Sequence, residues 1–222
     1  MLKKMDIDGN PIDLMCFEQP LVLVDLETTG FSTERDRIIE IAALRLEEGC
    51  QPVAFSTLIE HGKLSTGSSY IHGIYRNMLK GAPLFSDTIS ILQDLCQDAL
   101  LVAHNASFED RFLKAEMARA GGRWAQPRLC TMMFARRALS HRKGRGAHSL
   151  NGIAEEFDVP VKGHHEAFSD VLMLHGILGR MIDAFKKHSE FTKWLKASTK
   201  SSEEQSIWPK GSSRNVRLKS RY

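Results

Sequence analysis

Residues 21–30 read LVLVDLETTG, an apolar, β-branched run that ends in two acidic residues and a turn-forming TTG. Such a run predicts a buried strand. Asp25 and Glu27 stand two residues apart, so the period of a strand places both carboxylates on one face. A lone D-x-E pair is usually a pair of surface charges. Because this pair lies at the end of a buried strand, it is interpreted either as part of a functional site or as two surface charges.

A second acidic cluster lies in LVAHNASFEDRFL, residues 101–113. The pattern predicts a short strand followed by a helix near residues 107–120. On that helix Glu109 falls at the centre of the apolar arc, whereas Asp110 is rotated toward its rim. Ser107 and Asp110 have the spacing of a capping box. We therefore expect Glu109 to point inward and Asp110 to cap the helix.

A third cluster lies in HHEAFSDVLML, residues 164–174. The spacing predicts a helix over residues 169–185 whose core-facing stripe begins at Asp170, and a carboxylate in that position needs a partner. His165 is expected on the loop before the helix, from where it can approach the same site. A histidine there can accept a proton near neutral pH, although a single histidine is also often a surface or core imidazole.

All three acidic clusters adjoin apolar stretches. A folded domain does not tolerate several carboxylates near its core unless a cation holds them. An oxygen-rich site of this kind suits two hard divalent ions, and we expect Mg²⁺ or Mn²⁺. Because two such ions at one site cleave phosphodiesters, the sequence predicts a nuclease.

The remaining pattern places strands first and interleaves helices later. Further strands are expected at residues 37–46, 52–59 and 99–103, and this order favours an α/β fold with a mixed sheet. Helices are expected at residues 74–80 and 86–96, and after Ser149. We divide the chain into three parts, which are an N-terminal leader of residues 1–19, one domain of residues 20–185, and a basic C-terminal helix end and flexible tail of residues 186–222.

The composition, 42% hydrophobic and 26% charged, is that of an ordinary globular protein. No stretch approaches the roughly 18 apolar residues of a membrane span. The N-terminal MLKKMDIDGNPIDLM lacks the apolar core of a signal peptide. The four cysteines form no CxxC pair, which favours reduced thiols over a disulfide framework or a zinc site. We therefore expect a cytoplasmic protein without a membrane partner.

Basic residues are concentrated toward the C-terminus. Residues 186–222 contain ten Lys and Arg against three Asp and Glu, although the whole chain has a formal net charge of only +3. This tail is expected either to attract a polyanion or to be a solvated, disordered arm. From Ala197 onward we expect little packing, and Trp208 has no evident core to join.

Three smaller features have competing interpretations. Basic residues crowd positions 136–145, which favours contact with a phosphate backbone or else a solvated surface. Glu40, inside RIIEIAALRL, is interpreted as a strand-edge charge rather than a further ligand. A helically spaced aromatic group is expected in the core rather than as a base-stacking platform, and it consists of Phe185, Phe191 and Trp194.

Taken in order, DLETTG, HNASFEDRFL and HEAFSD resemble the three exonuclease motifs of the DEDDh superfamily. That group includes the proofreading epsilon subunit of bacterial DNA polymerase III, ribonuclease T and oligoribonuclease. YIHGIYRNMLKGAPLF, LCTMMFARRAL and HSLNGIAEEFDVP also resemble runs of the family, so the resemblance covers roughly residues 20–185. It implies a ribonuclease H-like fold, in which α-helices flank a mixed β-sheet, and metal-dependent 3′→5′ exonuclease activity.

The resemblance also implies roles for individual residues. Asp25, Glu27 and Asp170 match the metal-binding carboxylates, and His165 matches the general base. The family ordinarily has Asp at the position of Glu109, which we assign as the fourth carboxylate ligand, with Asp110 as the alternative. The residues that match the pocket for the terminal nucleotide are Thr28, Thr29, His72 and Asn105.

The activity expected is release of nucleotides from 3′ ends of nucleic acid, with DNA favoured over RNA, as in proofreading or DNA repair. Two divalent ions would activate the attacking water and stabilise the departing 3′ oxygen. Two alternatives stay open, a 3′→5′ exoribonuclease of the ribonuclease T or oligoribonuclease type and a non-catalytic nucleic-acid-binding module. The basic tail is expected to dock a polymerase or another protein, to hold the substrate, or to be disordered.

Overall fold

The computed structural model describes residues 3–4, 11–62, 65–161 and 166–209. Within these ranges seven strands form one sheet, in the order β1-β4-β3-β2-β5-β6-β7. Their bounds are β1 Lys3–Lys4, β2 Leu21–Thr28, β3 Ile38–Leu46, β4 Val53–Leu58, β5 Leu100–Ala103, β6 Arg128–Cys130 and β7 Thr199–Lys200.

The central strand of the sheet is β2. It pairs antiparallel with β3 on one side and parallel with β5 on the other, and β6 continues the parallel part. The carboxyl ends of β2 and β5 are therefore neighbours at one edge of the sheet. Open α/β sheets have their ligand sites outside the carboxyl ends of the strands, so a functional site is expected at this edge.

Eight helices accompany the sheet within the described ranges. Their bounds are α1 Ser69–His72, α2 Arg76–Leu79, α3 Phe85–Cys96, α4 Ala106–Arg119, α5 Thr131–Ala138, α6 Leu150–Glu156, α7 Ala167–Phe185 and α8 Phe191–Ser198. Helices α5, α6 and α7 cover one face of the sheet, whereas α3 and α4 cover the other. The predicted mixed α/β fold is therefore confirmed.

Side chains of β2 point alternately into the two hydrophobic cores, one on each face of the sheet. Leu21 and Leu23 pack into the core on the α7 side, and Val22 and Val24 pack into the core on the α3 and α4 side. Since side chains alternate along a strand, the next residues of the Leu21 series, Asp25 and Glu27, also face α7. The same strand thus supplies both the core and the acidic pair.

The C-terminal part of the described chain is packed, and the expectation of little packing from Ala197 onward is wrong for residues 199–208. Strand β7 pairs antiparallel with β6, and Ile207 forms a further bridge with Arg123. Trp208 packs edge to face on the buried Trp124, with ring centroids 5.9 Å apart. Residues 210–222 lie outside the described residues, and the boundaries of the three parts stay a prediction.

The aromatic residues around α8 belong to the core, as predicted. Phe191 lies 5.9 Å from Phe134 between ring centroids, and Phe185 lies 6.0 Å from Trp194. These contacts fasten α8 to α5 and α7. The four cysteines are free thiols. A helix with the length and apolar character needed to cross a bilayer does not occur among the described residues.

Candidate active site

Three carboxylates meet where β2 ends beneath α7. Asp25 and Glu27 come from the α7-facing side of β2, and Asp170 lies in the first turn of α7. One carboxylate oxygen from each of the three lies within 4.8 Å of the others, and all three residues are half-buried. Side chains that are far apart in sequence are therefore close enough to share one cation.

Glu40 is a fourth acidic residue on the same face, and its interpretation as a strand-edge charge is wrong. It is only 2% exposed, lies directly opposite Glu27 in the β2–β3 register, and follows the alternation of Ala42 into the α7-side core. Its Oε2 accepts the backbone N–H of Ala167, with an N···O distance of 3.3 Å. A buried carboxylate in the centre of the sheet therefore holds the start of α7.

The two acidic residues of α4 have different surroundings. Glu109 is buried, and within the described residues its Oε2 has no hydrogen-bond partner. Asp110 is also buried, and its Oδ2 lies 3.0 Å from Arg128 and 2.9 Å from Lys114. The expectation that Asp110 caps the helix is wrong, because α4 begins at Ala106 and Asp110 forms ion pairs instead.

The carboxylates influence one another electrostatically. Burial raises the pKa of Asp25 well above its ordinary value, and the negative charges of Glu109, Asp170, Glu27 and Glu40 raise it further, in that order. Burial also raises the pKa of Glu109 to about 8. Near neutral pH such a cluster keeps protons or takes up cations. An all-oxygen donor set with an unsatisfied buried carboxylate oxygen fits hard divalent ions.

The TTG turn after β2 has its hydroxyl groups occupied. Thr28 Oγ1 donates to the carbonyl of Gly30 at 2.7 Å, and Thr29 Oγ1 donates to Asp36 at 3.1 Å. A loop crosses this turn closely at Gly67, which has a φ of +74° and where any Cβ would stand 1.9 Å from the Thr29 carbonyl oxygen. Only glycine fits there, so the wall beside the carboxylates depends on that residue.

His72 is part of the framework of this loop. It is buried, its Nε2 lies 3.1 Å from the carbonyl oxygen of Thr66, and its Nδ1 accepts the backbone N–H of Ile74 at 3.0 Å. Because both ring nitrogens are engaged, this placement favours support of the loop over a direct hydrogen bond to a substrate. The role of His72 in the nucleotide pocket stays a prediction.

Asn105 and His104 close the site on the β5 side. Asn105 is exposed, precedes α4 and accepts the Ser107 hydroxyl at 3.2 Å. The ring nitrogens of His104 lie 3.0 Å from Thr131 Oγ1 and 2.9 Å from the carbonyl oxygen of His148, and burial lowers its pKa to about 4. Sequence reasoning missed this histidine, because its partners lie 27 and 44 residues away.

The predicted general base, His165, lies outside the described residues. The described chain resumes just after it, at Glu166, whose side chain accepts the Ser169 hydroxyl at 2.8 Å. The assignment of His165 as the base therefore stays a prediction, together with the complete set of site residues.

A family model described as exonuclease, of the RNase T type, matches residues 22–178, which is more than half of the chain. The chain belongs to the RNase T exonuclease family. Within this family it is a hydrolytic nuclease, and the acidic cluster described above lies entirely inside the matched range.

Relatives of this RNase T family member include the PolC-type DNA polymerase III of Streptococcus pyogenes serotype M18. The two sequences are 33% identical over 188 residues, which is 83% of this chain and 13% of the polymerase. PolC-type polymerases of other Streptococcus pyogenes strains match to the same extent. The chain thus corresponds to a small part of the length of these relatives.

Solved structures share the fold of this RNase T family member. Exonuclease X, in complex with 5′ overhanging duplex DNA, has a TM-score of 0.62 and 23% identity, over 79% of this chain and 99% of that chain. A 3′-exonuclease solved for its 3′-end specific recognition of a histone mRNA stem-loop has a TM-score of 0.63 and 15% identity, over 75% and 83% of the two chains. The expected ribonuclease H-like fold is therefore confirmed.

The basic stretch of this RNase T family member is divided between structural and exposed side chains. Arg142 donates to the carbonyls of Ala147 and Gly152 and pairs with Glu156, so it holds its own loop together. Arg136 is exposed, and its guanidinium contacts the sulfur of Met133 at 3.8 Å. Only part of the stretch is thus available to a phosphate backbone.

Proposed function

We propose that the chain is a divalent-metal-dependent 3′→5′ exonuclease that releases nucleotides from 3′ ends, with DNA as the favoured substrate. The observation that carries the proposal is the meeting of Asp25, Glu27 and Asp170, with the buried Glu109 and Glu40 raising the local negative charge. Such crowding is costly in a folded protein unless cations are bound. Membership of the exonuclease family supports the same chemistry.

Asp25, Glu27 and Asp170 would hold the divalent ions, and Glu109 would complete the ligand set from α4. Bound Mg²⁺ or Mn²⁺ supplies Lewis acidity to the scissile phosphate, its attacking water and its leaving oxygen. The protein fixes the four carboxylates on rigid elements. Glu40 holds the N-terminus of α7, and thereby the helical turn that carries Asp170.

His165 would accept the proton of the attacking water, because a histidine with an ordinary pKa is poised for this near neutral pH. Thr28, Thr29 and Asn105 would border the terminal nucleotide, with His72 supporting the loop beside it. The support for these roles is the match to the family's motifs and the position of Asn105 and the TTG turn at the carboxyl ends of β5 and β2.

The decisive experiment incubates the full chain with end-labelled DNA and RNA single strands in Mg²⁺, Mn²⁺ or chelator and identifies the products. We expect stepwise release of mononucleotides from the 3′ end, which chelator abolishes. Asp25→Asn and Asp170→Asn should abolish release while far-UV circular dichroism stays unchanged. Asp183→Asn, an exposed acid of the same helix, is the matched control and should keep full activity.

Three results would contradict the proposal in different ways. Retained activity in Asp25→Asn or Asp170→Asn would remove the assigned ligands. Release from RNA but not from DNA would make the chain an exoribonuclease. Strand binding without nucleotide release in any divalent ion would leave a binding module.

A further inference from the structure

A cavity of about 370 Å³ lies between the first turn of α4, helix α5 and the junction of α8 with β7. We call it the basic groove. Three cationic residues line it, and the described lining contains no acidic residue. The lining residues used in the argument are Asn105, Arg128, Arg136, Ser198 and Lys200.

The three cations of the basic groove are not equivalent. Arg128 is half-buried and paired with Asp110. Lys200 lies directly opposite Arg128 in the β6–β7 register, and Arg136 projects from α5, where it is exposed. Within the described residues neither Lys200 nor Arg136 has an ion-pair partner. Because Asp110 already compensates the charge of Arg128, an anion in the groove would be bound mainly by Lys200 and Arg136.

Asn105 links the basic groove to the proposed active site. Asn105 lines the groove and also borders the predicted pocket for the terminal nucleotide. One helical turn beyond it lies the buried Glu109, whose negative charge raises the pKa of Asp25. If the 3′ end of a strand lies at the carboxylates, a path past Asn105 would bring its preceding phosphates toward Arg136 and Lys200.

One wall of the basic groove is specific to the C-terminal part of the chain. Residues 197–200 supply Ser198 and Lys200, and they lie outside the range 22–178 that the family model matches. This wall is held in place by the pairing of β7 with β6 and by the aromatic contacts of α8. The groove therefore combines residues of the matched range with one wall from the C-terminal segment.

We propose that the basic groove binds the phosphodiester backbone of a single nucleic-acid strand upstream of its 3′ end. This inference rests on the proposed exonuclease function. A cavity of about 370 Å³ is at the small end of ligand clefts, which suits one strand rather than a duplex. The contacts are to phosphate, so they do not distinguish DNA from RNA.

The test compares the double variant Arg136→Ala/Lys200→Ala with the control Arg180→Ala/Lys187→Ala, which removes the same two types of exposed cation from positions that do not line the groove. Binding of fluorescent DNA and RNA dodecamers is measured by anisotropy at several salt concentrations with Ca²⁺ present. Each lost phosphate contact lowers the slope of log K against log salt by about 0.7 on single strands. We expect the groove variant to lose about 1.4 of this slope on both nucleic acids and the control to keep it.

Kinetics give a second readout. The KM for a dodecamer should rise several-fold in the groove variant, whereas hydrolysis of a dinucleotide, which ends before the groove, should stay at the wild-type rate. Equal slopes and equal KM in the groove variant and the control would overturn the proposal. If the wild type releases no nucleotide, the exonuclease proposal fails, while the anisotropy slopes still decide the groove.

Discussion

The two neighbouring acidic residues of α4, Glu109 and Asp110, are expected to have different roles, one in catalysis and the other in stability. Glu109 and Asp110 each have one buried carboxylate oxygen without a hydrogen-bond partner among the described residues. Asp110 is also paired with Arg128 and Lys114, whereas the charge of Glu109 raises the pKa of Asp25. Glu109→Gln should lower nucleotide release about 100-fold or more, since even partners of metal ligands contribute about 10–100-fold. Asp110→Asn should instead lower the free energy of unfolding by about 1–3 kcal/mol, because Arg128 loses its partner.

Urea unfolding and an exonuclease assay on both variants check this assignment. The opposite pattern, with activity lost in Asp110→Asn and stability lost in Glu109→Gln, would make Asp110 the ligand.

The raised pKa values predict an unusual pH dependence for the metal-free protein. Burial raises the pKa of Glu109 from 4.5 to about 8, and the pKa of Asp25 is raised as well. In the folded state these carboxyl groups keep protons that the unfolded chain releases. The stability that Glu109 contributes is full below pH about 4.5 and is lost as the pH rises through about 8, and Asp25 acts in the same direction. The slope is about 1.4 kcal/mol per pH unit for each proton.

Thermal unfolding in chelator between pH 5 and pH 8, in about one-unit steps, measures this slope. Excess Mg²⁺ should remove most of the loss, because bound cations replace the protons. Glu109→Gln should show a shallower slope without metal. An unchanged slope in that variant would show that Glu109 is not the titrating group.

For individual residues, the sequence predicted which side chains face inward but not which residues they contact. Helical periodicity placed Glu109 inward correctly, since the arc of apolar residues is a local property. It could not reveal the ion pair of Asp110, because Arg128 comes from β6 and only the fold brings it near. His104 was missed for the same reason.

Among the secondary-structure elements, α7 depends on a strand that is remote in sequence. The N–H of Ala167 is held by Glu40 of β3, and this bond sets where α7 begins and where Asp170 points. Glu40→Ala should weaken Mn²⁺ binding and lower the free energy of unfolding by about 1–3 kcal/mol, because the Ala167 N–H loses its acceptor. Glu40→Gln keeps an acceptor oxygen and should retain most of the Mn²⁺ affinity and most of the free energy of unfolding.

Calorimetric titration of Mn²⁺ and urea unfolding measure the two quantities. If Glu40→Gln lost as much metal affinity as Glu40→Ala, the charge of Glu40 and not its hydrogen bond would be responsible.

Most elements were predictable because their signals are local. The strands at 21–28 and 38–46 follow from apolar, β-branched runs, and α6 begins after Ser149, whose hydroxyl oxygen accepts the N–H of Gly152. Strand β7 was not predictable, because two residues carry no periodicity and only the edge of β6 makes them a strand. The burial of Glu40 likewise follows from sheet order rather than from its own strand.

For the molecule as a whole, the C-terminal segment closes the β6 edge and covers Trp124. Trp208→Ala should lower the free energy of unfolding by about 1–3 kcal/mol, less than for a fully buried tryptophan because Trp208 is half-buried. Ile207→Ala is the control and should change stability by less than about 0.5 kcal/mol, because its side chain is exposed and its bridge to Arg123 is made by the backbone.

Chemical denaturation of both variants measures the difference. Equal stability of Trp208→Ala and the wild type would show that the segment lies on the domain without supporting it. A larger loss of unfolding free energy in Ile207→Ala than in Trp208→Ala would show that Ile207, and not Trp208, stabilises the domain.

The proposed acidic ligands come from β2, α4 and α7, which span most of the domain. Chains emerge from the ribosome in order, and domains fold largely as units. A nascent chain that has exposed only Asp25 and Glu27 still lacks Asp170, so the proposed metal site stays incomplete until most of the domain has been synthesised. Incomplete chains are therefore expected to be inactive because of the topology alone, without a separate inhibitor.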